Sequence, residues 1–127
     1  MGRGGKTVIM VTAGALAALA AGTPPATAEA ANGCAELDVC FYRTANDRAQ
    51  GRPTASYRGV TRFPQELGAD AYGAYAVYSA LGEERAILHT TATVGGRAYG
   101  ICLAPHERRV LQPDTVSTVH IDGKAGC

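Results

Sequence analysis

The sequence lacks the residue patterns that carry catalysis in common enzyme families. It contains three serines, and none of them lies in a nucleophile-elbow motif. The segment "PHERR" lacks the second histidine of the zinc-protease motif HExxH. Gly95 and Gly96 are not followed by the Lys-Ser/Thr pair of a phosphate-binding loop. These absences predict that the protein is not an enzyme, has no catalytic residues and uses no cofactor.

The sequence also lacks an N-terminal apolar run of bilayer length. Residues 7 to 22 form sixteen uncharged residues, whereas a membrane-spanning helix needs about 20. A basic head precedes this run, and two A-x-A cleavage signals follow it, ending at Ala28 and Ala30. This order predicts a secretory signal peptide over residues 1–28, with cleavage after residue 30 as the alternative. A lipid anchor on Cys34 is a second alternative, but Asn32 fits that motif poorly.

The expected mature domain, residues 29–127, has little net charge. The whole chain has 12 basic and 11 acidic side chains. Cleavage of the signal peptide would remove Arg3 and Lys6, so the net charge of the mature domain would be 10 − 11 = −1. Proteins that bind nucleic acids or anionic membranes present clustered positive charge. The composition therefore predicts a domain that binds neither nucleic acid nor, after processing, a membrane. The signal peptide predicts that this domain is extracellular, and we expect it to be a monomer.

Cysteine is scarce, with four residues, Cys34, Cys40, Cys102 and Cys127. In an exported domain of this size an even number of cysteines predicts disulfides, and four cysteines allow three pairings. A zinc site is the alternative, but the C-x5-C and C-x24-C spacings differ from those of tetrahedral zinc sites. No metal site is expected from the cysteines.

The remaining pattern is typical of β-strands. Short β-branched and aromatic runs, several of them alternating polar and apolar residues, are separated by glycine and proline at intervals of roughly ten residues. The predicted fold is therefore all-β, with one short helical turn at most, within "RFPQELGAD". The six strands are predicted within residues 39–42, 53–63, 71–81, 85–94, 96–104 and 114–122.

The two halves of the chain are similar to each other. An alignment of them places Asp70 against Asp114, Gly73 against Ser117 and Val77 against Ile121. Two units of about forty residues, each unable to bury its apolar face alone, are expected to stack into one sandwich. Chance similarity between alanine- and glycine-rich strands is the alternative.

One arrangement of residues resembles a known family. It consists of a cysteine, four residues, "VC-x-Y", an asparagine-containing turn, and "GR" before a tyrosine-bearing strand. It resembles the secreted actinobacterial βγ-crystallin-like peptidase inhibitors over residues 34 to about 121. The resemblance implies two Greek-key units in a sandwich. It also implies that Cys34 bonds to Cys40, in which case Cys102 pairs with Cys127. The matching residues are Cys34, Cys40, Tyr42, Asn46, Gly51, Arg52 and Tyr57.

The chain departs from this family at two places. The best-known inhibitor of the family holds its reactive loop with a second close cysteine pair, but here Cys102 and Cys127 stand 25 positions apart. Its calcium-binding relatives need several oxygen ligands, and this chain keeps only Asp70, Asp114 and Ser117, with Pro113 where a ligand is expected. The calcium sites are therefore expected to be degenerate.

Two functions remain open at this stage. The resemblance implies a metalloproteinase-type peptidase inhibitor that inserts a loop into the cleft of a secreted protease. The missing reactive-loop cysteines favour instead a binding or adaptor module for another extracellular partner. The loops expected to be free are residues 44–52, 82–85 and 104–113. The last of these would present Arg108, Arg109 and Val110.

Export generates the first testable prediction. N-terminal sequencing of the exported protein should begin at Glu29 or Ala31, because each follows an A-x-A signal. A first residue near Met1 would contradict export, and with it the extracellular location.

Overall fold

The computed structural model describes residues 31–91 and 96–127, and over these residues the fold is all-β. A 3-10 turn at Ala31–Gly33 precedes the first strand, and the helix α1, Ala45–Ala49, follows it. The predicted signal peptide, residues 1–28, lies outside the described residues. No helix in the described part is long and apolar enough to cross a membrane. The strands are β1 (Asp38–Tyr42), β2 (Ala55–Arg58), β3 (Gln65–Glu66), β4 (Ala76–Ser79), β5 (Glu84–Thr90), β6 (Gly100–Leu103), β7 (Arg108–Val110) and β8 (Val116–Ala125).

The strands form two four-stranded antiparallel sheets. Sheet 1 has the order β2-β1-β4-β7, and sheet 2 has the order β3-β8-β5-β6. The first half of the chain, β1 to β4, places β3 in sheet 2 and its other three strands in sheet 1. The second half, β5 to β8, places β7 in sheet 1 and its other three strands in sheet 2. Strand β3 pairs with β8, and β7 pairs with β4. This exchange ties the two halves together through backbone hydrogen bonds as well as through side-chain packing.

The main core lies between the two sheets. Val39, Phe41 and Val77 from sheet 1 pack against residues of sheet 2 that include Leu88 and Val119. The alternation in "DVCFY" explains the contribution of β1, because successive side chains of a strand point to opposite faces. Val39 and Phe41 enter this core, so Cys40 and Tyr42 point to the outer face of sheet 1.

The outer face of sheet 1 carries a second, smaller apolar cluster. It is buried because the chain segment before β1 folds back over it. The cluster brings the Cys34–Cys40 disulfide together with side chains of β1 and β4, and Tyr75 packs at its margin. Its buried members are Cys34, Cys40, Tyr42, Ala76, Tyr78 and Ala80.

Both disulfides have the pairing that the resemblance implied. Cys34 bonds to Cys40 and Cys102 bonds to Cys127, with Cα–Cα distances of 5.9 and 5.8 Å. Chain-entropy arguments assign roughly 2.4 kcal/mol to the short loop and roughly 3.5 kcal/mol to the long one. The Cys34 sulfur is used in its bond to Cys40, which argues against a lipid anchor at this residue.

The predicted strands are confirmed in outline and corrected in detail. Each of the six predicted segments overlaps an observed strand, but the bounds differ, and the prediction missed β3 and β7. The helical turn expected in "RFPQELGAD" is wrong, since Gln65–Glu66 pairs with β8 as β3. The helix lies instead at Ala45–Ala49, where Thr44 and Asp47 form a capping box.

The close contact between the N-terminal segment and the loop after α1 generates the second prediction. Gly33 has φ of +75°, and a Cβ placed on it would lie 1.8 Å from the carbonyl oxygen of Gly51. Gly33→Ala should therefore destabilise the protein by about 3 kcal/mol or more, since it adds a backbone clash to the cost of the left-handed conformation.

The control is Gly59→Ala, because Gly59 has φ of +93° but no atom within 4 Å of its added Cβ. This variant should cost only about 1–2 kcal/mol, from the backbone conformation alone. Denaturant unfolding measures both variants. Equal losses would show that the contact between Gly33 and Gly51 does not constrain the segment.

Candidate functional site

A cleft of about 310 Å³ opens on the outer face of sheet 1. Its floor is formed by Tyr42 and Tyr78, and its walls are the helix α1, the N-terminal segment and the edge strand β7. The lining residues are Asn32, Tyr42, Ala45, Arg48, Ala49, Tyr75, Val77, Tyr78 and Arg108. They come from widely separated parts of the chain, so the cleft exists only in the folded domain.

The N-terminal wall is held by one covalent and one hydrogen bond. The disulfide fixes Cys34 over β1, and the Tyr42 hydroxyl donates a hydrogen bond of 2.7 Å to the carbonyl oxygen of Asn32. Asn32 adopts a left-handed conformation with φ of 58°, which asparagine tolerates better than most residues. These contacts place the Asn32 side chain at the rim of the cleft.

The helical wall follows from the capping box of α1. The Thr44 hydroxyl accepts the backbone N–H of Asp47 at 3.0 Å, and the Asp47 carboxylate accepts the backbone N–H of Thr44 at 3.2 Å. This reciprocal cap starts the helix at Ala45. Ala45, Arg48 and Ala49 have the i, i+3, i+4 spacing of one helix face, and all three line the cleft.

The third wall is placed by strand pairing. In the register of β4 and β7, Tyr78 lies opposite Arg108. Directly opposed residues of two strands project from the same face of the sheet. Arg108 therefore shares the outer face with Tyr78, and its guanidinium donates a hydrogen bond of 3.4 Å to the Asn32 side-chain oxygen.

The cleft is electropositive. Arg48 and Arg108 line it, and no aspartate or glutamate does. Four ion pairs occur within residues 31–91 and 96–127, and they involve Arg43, Arg58, Arg85 and Arg109. Arg48 and Arg108 thus have no carboxylate partner in the described part of the chain.

The hydroxyls of the two tyrosines on the cleft floor, Tyr42 and Tyr78, differ in their hydrogen bonding. Tyr42 is 1% exposed, and burial raises the pKa of its hydroxyl, as does the nearby Tyr78, while Arg108 and Arg48 act in the opposite direction. Tyr78 is 6% exposed. Its hydroxyl, unlike that of Tyr42, makes no hydrogen bond to any described residue. Because Tyr78 lines the cleft, its hydroxyl is an unused hydrogen-bonding group there.

The residues predicted to form a partner-binding loop lie at the edge of this cleft, but not in a loop. Arg108, Arg109 and Val110 form β7, which pairs with β4. The prediction that 104–113 is a free loop is wrong for these three residues, although all three are exposed. Alternation along the strand separates Arg109 from Arg108 and Val110. The other two expected loops also contain structure, since 44–52 includes α1 and 82–85 includes the start of β5.

The three residues that resemble calcium ligands, Asp70, Asp114 and Ser117, each contact another residue of the protein. The Asp70 carboxylate lies 3.8 Å from the guanidinium of Arg43. The Asp114 carboxylate accepts a hydrogen bond from the Tyr99 hydroxyl, which raises the pKa of that hydroxyl. The Ser117 hydroxyl donates to the carbonyl oxygen of His89 at 3.3 Å. Among the described residues no group of three His, Cys, Asp or Glu side chains could hold a metal ion.

The histidines are distributed between the strands and a turn. The His89 ring contacts the Thr118 hydroxyl at 3.1 Å, and the His120 ring contacts the carbonyl oxygen of Thr61 at 2.9 Å. His106 is exposed in a turn with φ of 63°. Within the described ranges no hydrogen bond joins a serine hydroxyl to a histidine ring, which is the geometry that nucleophilic serine catalysis requires.

Comparisons with protein-family models, with curated proteins and with solved structures find no match for this chain.

The contrast between the two tyrosines generates the third prediction. Tyr42→Phe should destabilise the protein by about 1–2 kcal/mol, because it leaves the Asn32 carbonyl without its donor. Tyr78→Phe should be neutral or slightly stabilising, because it removes a buried hydroxyl that has no described partner. Denaturant unfolding of both variants at neutral pH measures the difference. A loss at Tyr78 as large as that at Tyr42 would contradict this interpretation.

Proposed function

We propose that the two sheets are two interlocked Greek-key units of the βγ-crystallin type. The exchange of third strands supports this proposal, because each unit keeps the order fourth-first-second in its own sheet and gives its third strand to the other sheet. The disulfide between Cys34 and Cys40 agrees with the resemblance of the N-terminal residues to that family. The two units correspond to the two similar halves of the sequence.

We further propose that the protein is a secreted, monomeric binding module without catalytic activity. The observation that carries this proposal is the cleft on sheet 1, an electropositive concavity whose walls are fixed by a disulfide, a capped helix and a paired strand. Such rigid walls lower the ordering cost of binding. The partner would be another extracellular molecule that contacts the cleft and the adjoining edge of β7.

A peptidase inhibitor is the second candidate, and the edge strand favours it. β7 pairs with β4 on one side, and its other side is open to pairing with an extended chain. Arg108 and Val110 project from the outer face of this strand, and Val110 is 43% exposed. In this form of inhibition the protease would contact a preformed strand edge. The sequence had predicted a loop inserted into the protease cleft instead.

The fourth prediction tests the binding surface. Mature protein immobilised through its C-terminus should capture a partner from its native culture supernatant, and Val110→Asp should reduce the captured amount at least about tenfold, since it places a charge in the contact. The matched control is Val60→Asp, because Val60 is also exposed, at 56%, and lies in the connection between β2 and β3. Equal capture by wild type and Val110→Asp would contradict the proposed surface.

A protease titration separates the two candidates. Thermolysin-like and subtilisin-like proteases are titrated with wild type, Val110→Asp and Val60→Asp, and residual activity is measured. The binding module predicts full activity at micromolar concentrations of wild type. Inhibition that Val110→Asp abolishes and Val60→Asp retains would establish the inhibitor instead.

A further inference from the structure

The cleft combines three groups with unused hydrogen-bonding capacity in the described part of the chain. The guanidinium of Arg48 makes no side-chain hydrogen bond there, and that of Arg108 uses one of its five N–H donors on Asn32. The Tyr78 hydroxyl makes no hydrogen bond to any described residue, although Tyr78 is only 6% exposed. Arg48, Arg108 and Tyr78 all line the cleft, so one ligand bound there could use the free hydrogen-bonding capacity of all three side chains.

The neighbouring carboxylates are already used by the protein. Asp47, one residue before Arg48, caps α1 through the backbone N–H of Thr44. Glu107, one residue before Arg108, accepts the backbone N–H of Ala104 at 2.9 Å and pairs with Arg109 at 2.6 Å. Desolvation raises the Glu107 pKa, but the hydrogen bond from the Ala104 backbone N–H and the contact with Arg109 together bring that pKa below its ordinary value. Neither carboxylate is therefore available to neutralise the cleft.

The dimensions and the lining of the cleft limit the ligand. A volume of about 310 Å³ lies at the lower end of the range for small-molecule sites, so one small group fills it. Ala45, Ala49 and the half-buried Tyr75 supply apolar contact. Guanidinium groups bind carboxylates through paired, charge-assisted hydrogen bonds. These features together select an anionic head on a compact apolar body.

We propose that this cleft binds a carboxylate carried on a small apolar body, held by Arg48 and Arg108, with the Tyr78 hydroxyl donating a further hydrogen bond. The carboxylate belongs either to a free small molecule or to the C-terminus of a peptide that ends in an apolar residue, and aromatic probes represent both sources. The inference deepens the proposed binding function and rests on it for its biological meaning. Small probes nevertheless test the site without a protein partner.

The experiment is an NMR titration of the full mature protein with two matched probe pairs. Benzoate and benzamide have the same shape and differ in charge, and N-acetylphenylalanine and its amide differ in the same way. Benzoate or N-acetylphenylalanine should produce saturable shifts at Tyr42, Tyr78 and α1, and the neutral amides should not. Tighter binding of N-acetylphenylalanine indicates a peptide terminus as the source, and tighter binding of benzoate indicates a free acid. Absence of saturable shifts with both acids, or equal binding of acids and amides, would overturn the proposal.

Variants identify the groups that hold the carboxylate. Arg48→Gln and Arg108→Gln should each weaken binding at least about tenfold, the loss expected for one charge-assisted hydrogen bond. Tyr78→Phe, which keeps the packing of the ring, should weaken it severalfold. The control Arg62→Gln removes the same charge from an exposed loop outside the cleft and should bind as wild type does. An equal loss in Arg62→Gln, or unchanged binding in both Arg48→Gln and Arg108→Gln, would overturn the assignment.

The two experiments distinguish failure of the carboxylate site from failure of the proposed contact surface. If probes bind and the arginine variants lose them, but Val110→Asp still captures the partner, the carboxylate site stands and the proposed contact surface fails. If Val110→Asp loses the partner but no carboxylate binds, the contact surface stands and the carboxylate site fails.

Discussion

The Cys34–Cys40 disulfide is the constraint on which the outer face of sheet 1 depends. Without it, the segment before β1 would be held on the sheet mainly by hydrogen bonds, such as that from the Tyr42 hydroxyl to the Asn32 carbonyl oxygen, because the 3-10 turn at Ala31–Gly33 buries no residue of its own. With it, that segment covers Tyr42 and Tyr78 and creates a second apolar cluster. A small domain buries too little surface to stabilise such a layer easily, and the covalent bond lowers the entropy of the unfolded chain instead.

Covering this face changes the chemistry of its polar groups. A tyrosine hydroxyl on an open sheet would be hydrated, whereas the Tyr42 hydroxyl must find the Asn32 carbonyl, and its burial raises its pKa. Charges near such a surface interact more strongly than they would in water. The half-buried Arg48 and the exposed Arg108 lie beside this largely buried floor, and this position supports the proposal that they form a specific site.

The sequence predicted the features that have a strong local pattern. Val39 and Phe41 alternate with Cys40 and Tyr42, so the sequence predicted both the strand β1 and the two faces to which its side chains point. Strand β3 has only two residues, and the sequence of β7, Arg-Arg-Val, has no apolar alternation. Neither strand has a local sequence signal, and each forms because it pairs with a neighbouring strand. The helix α1 had a local signal in Thr44-x-x-Asp47, which the strand interpretation overlooked. The cleft had none, since its residues are distant in sequence.

The strand exchange makes the cleft a product of the whole domain. The first half of the chain, from β1 to β4, supplies Arg48, Tyr42 and Tyr78, but the second arginine comes from β7 in the second half. Arg108 reaches the cleft only because β7 crosses into sheet 1 and pairs with β4 opposite Tyr78. One half alone would present a single guanidinium beside an open floor, with β4 as an unpaired edge. The pairing that completes sheet 1 therefore also places the second arginine of the cleft, so the proposed recognition would depend on the same short strand that completes the sheet.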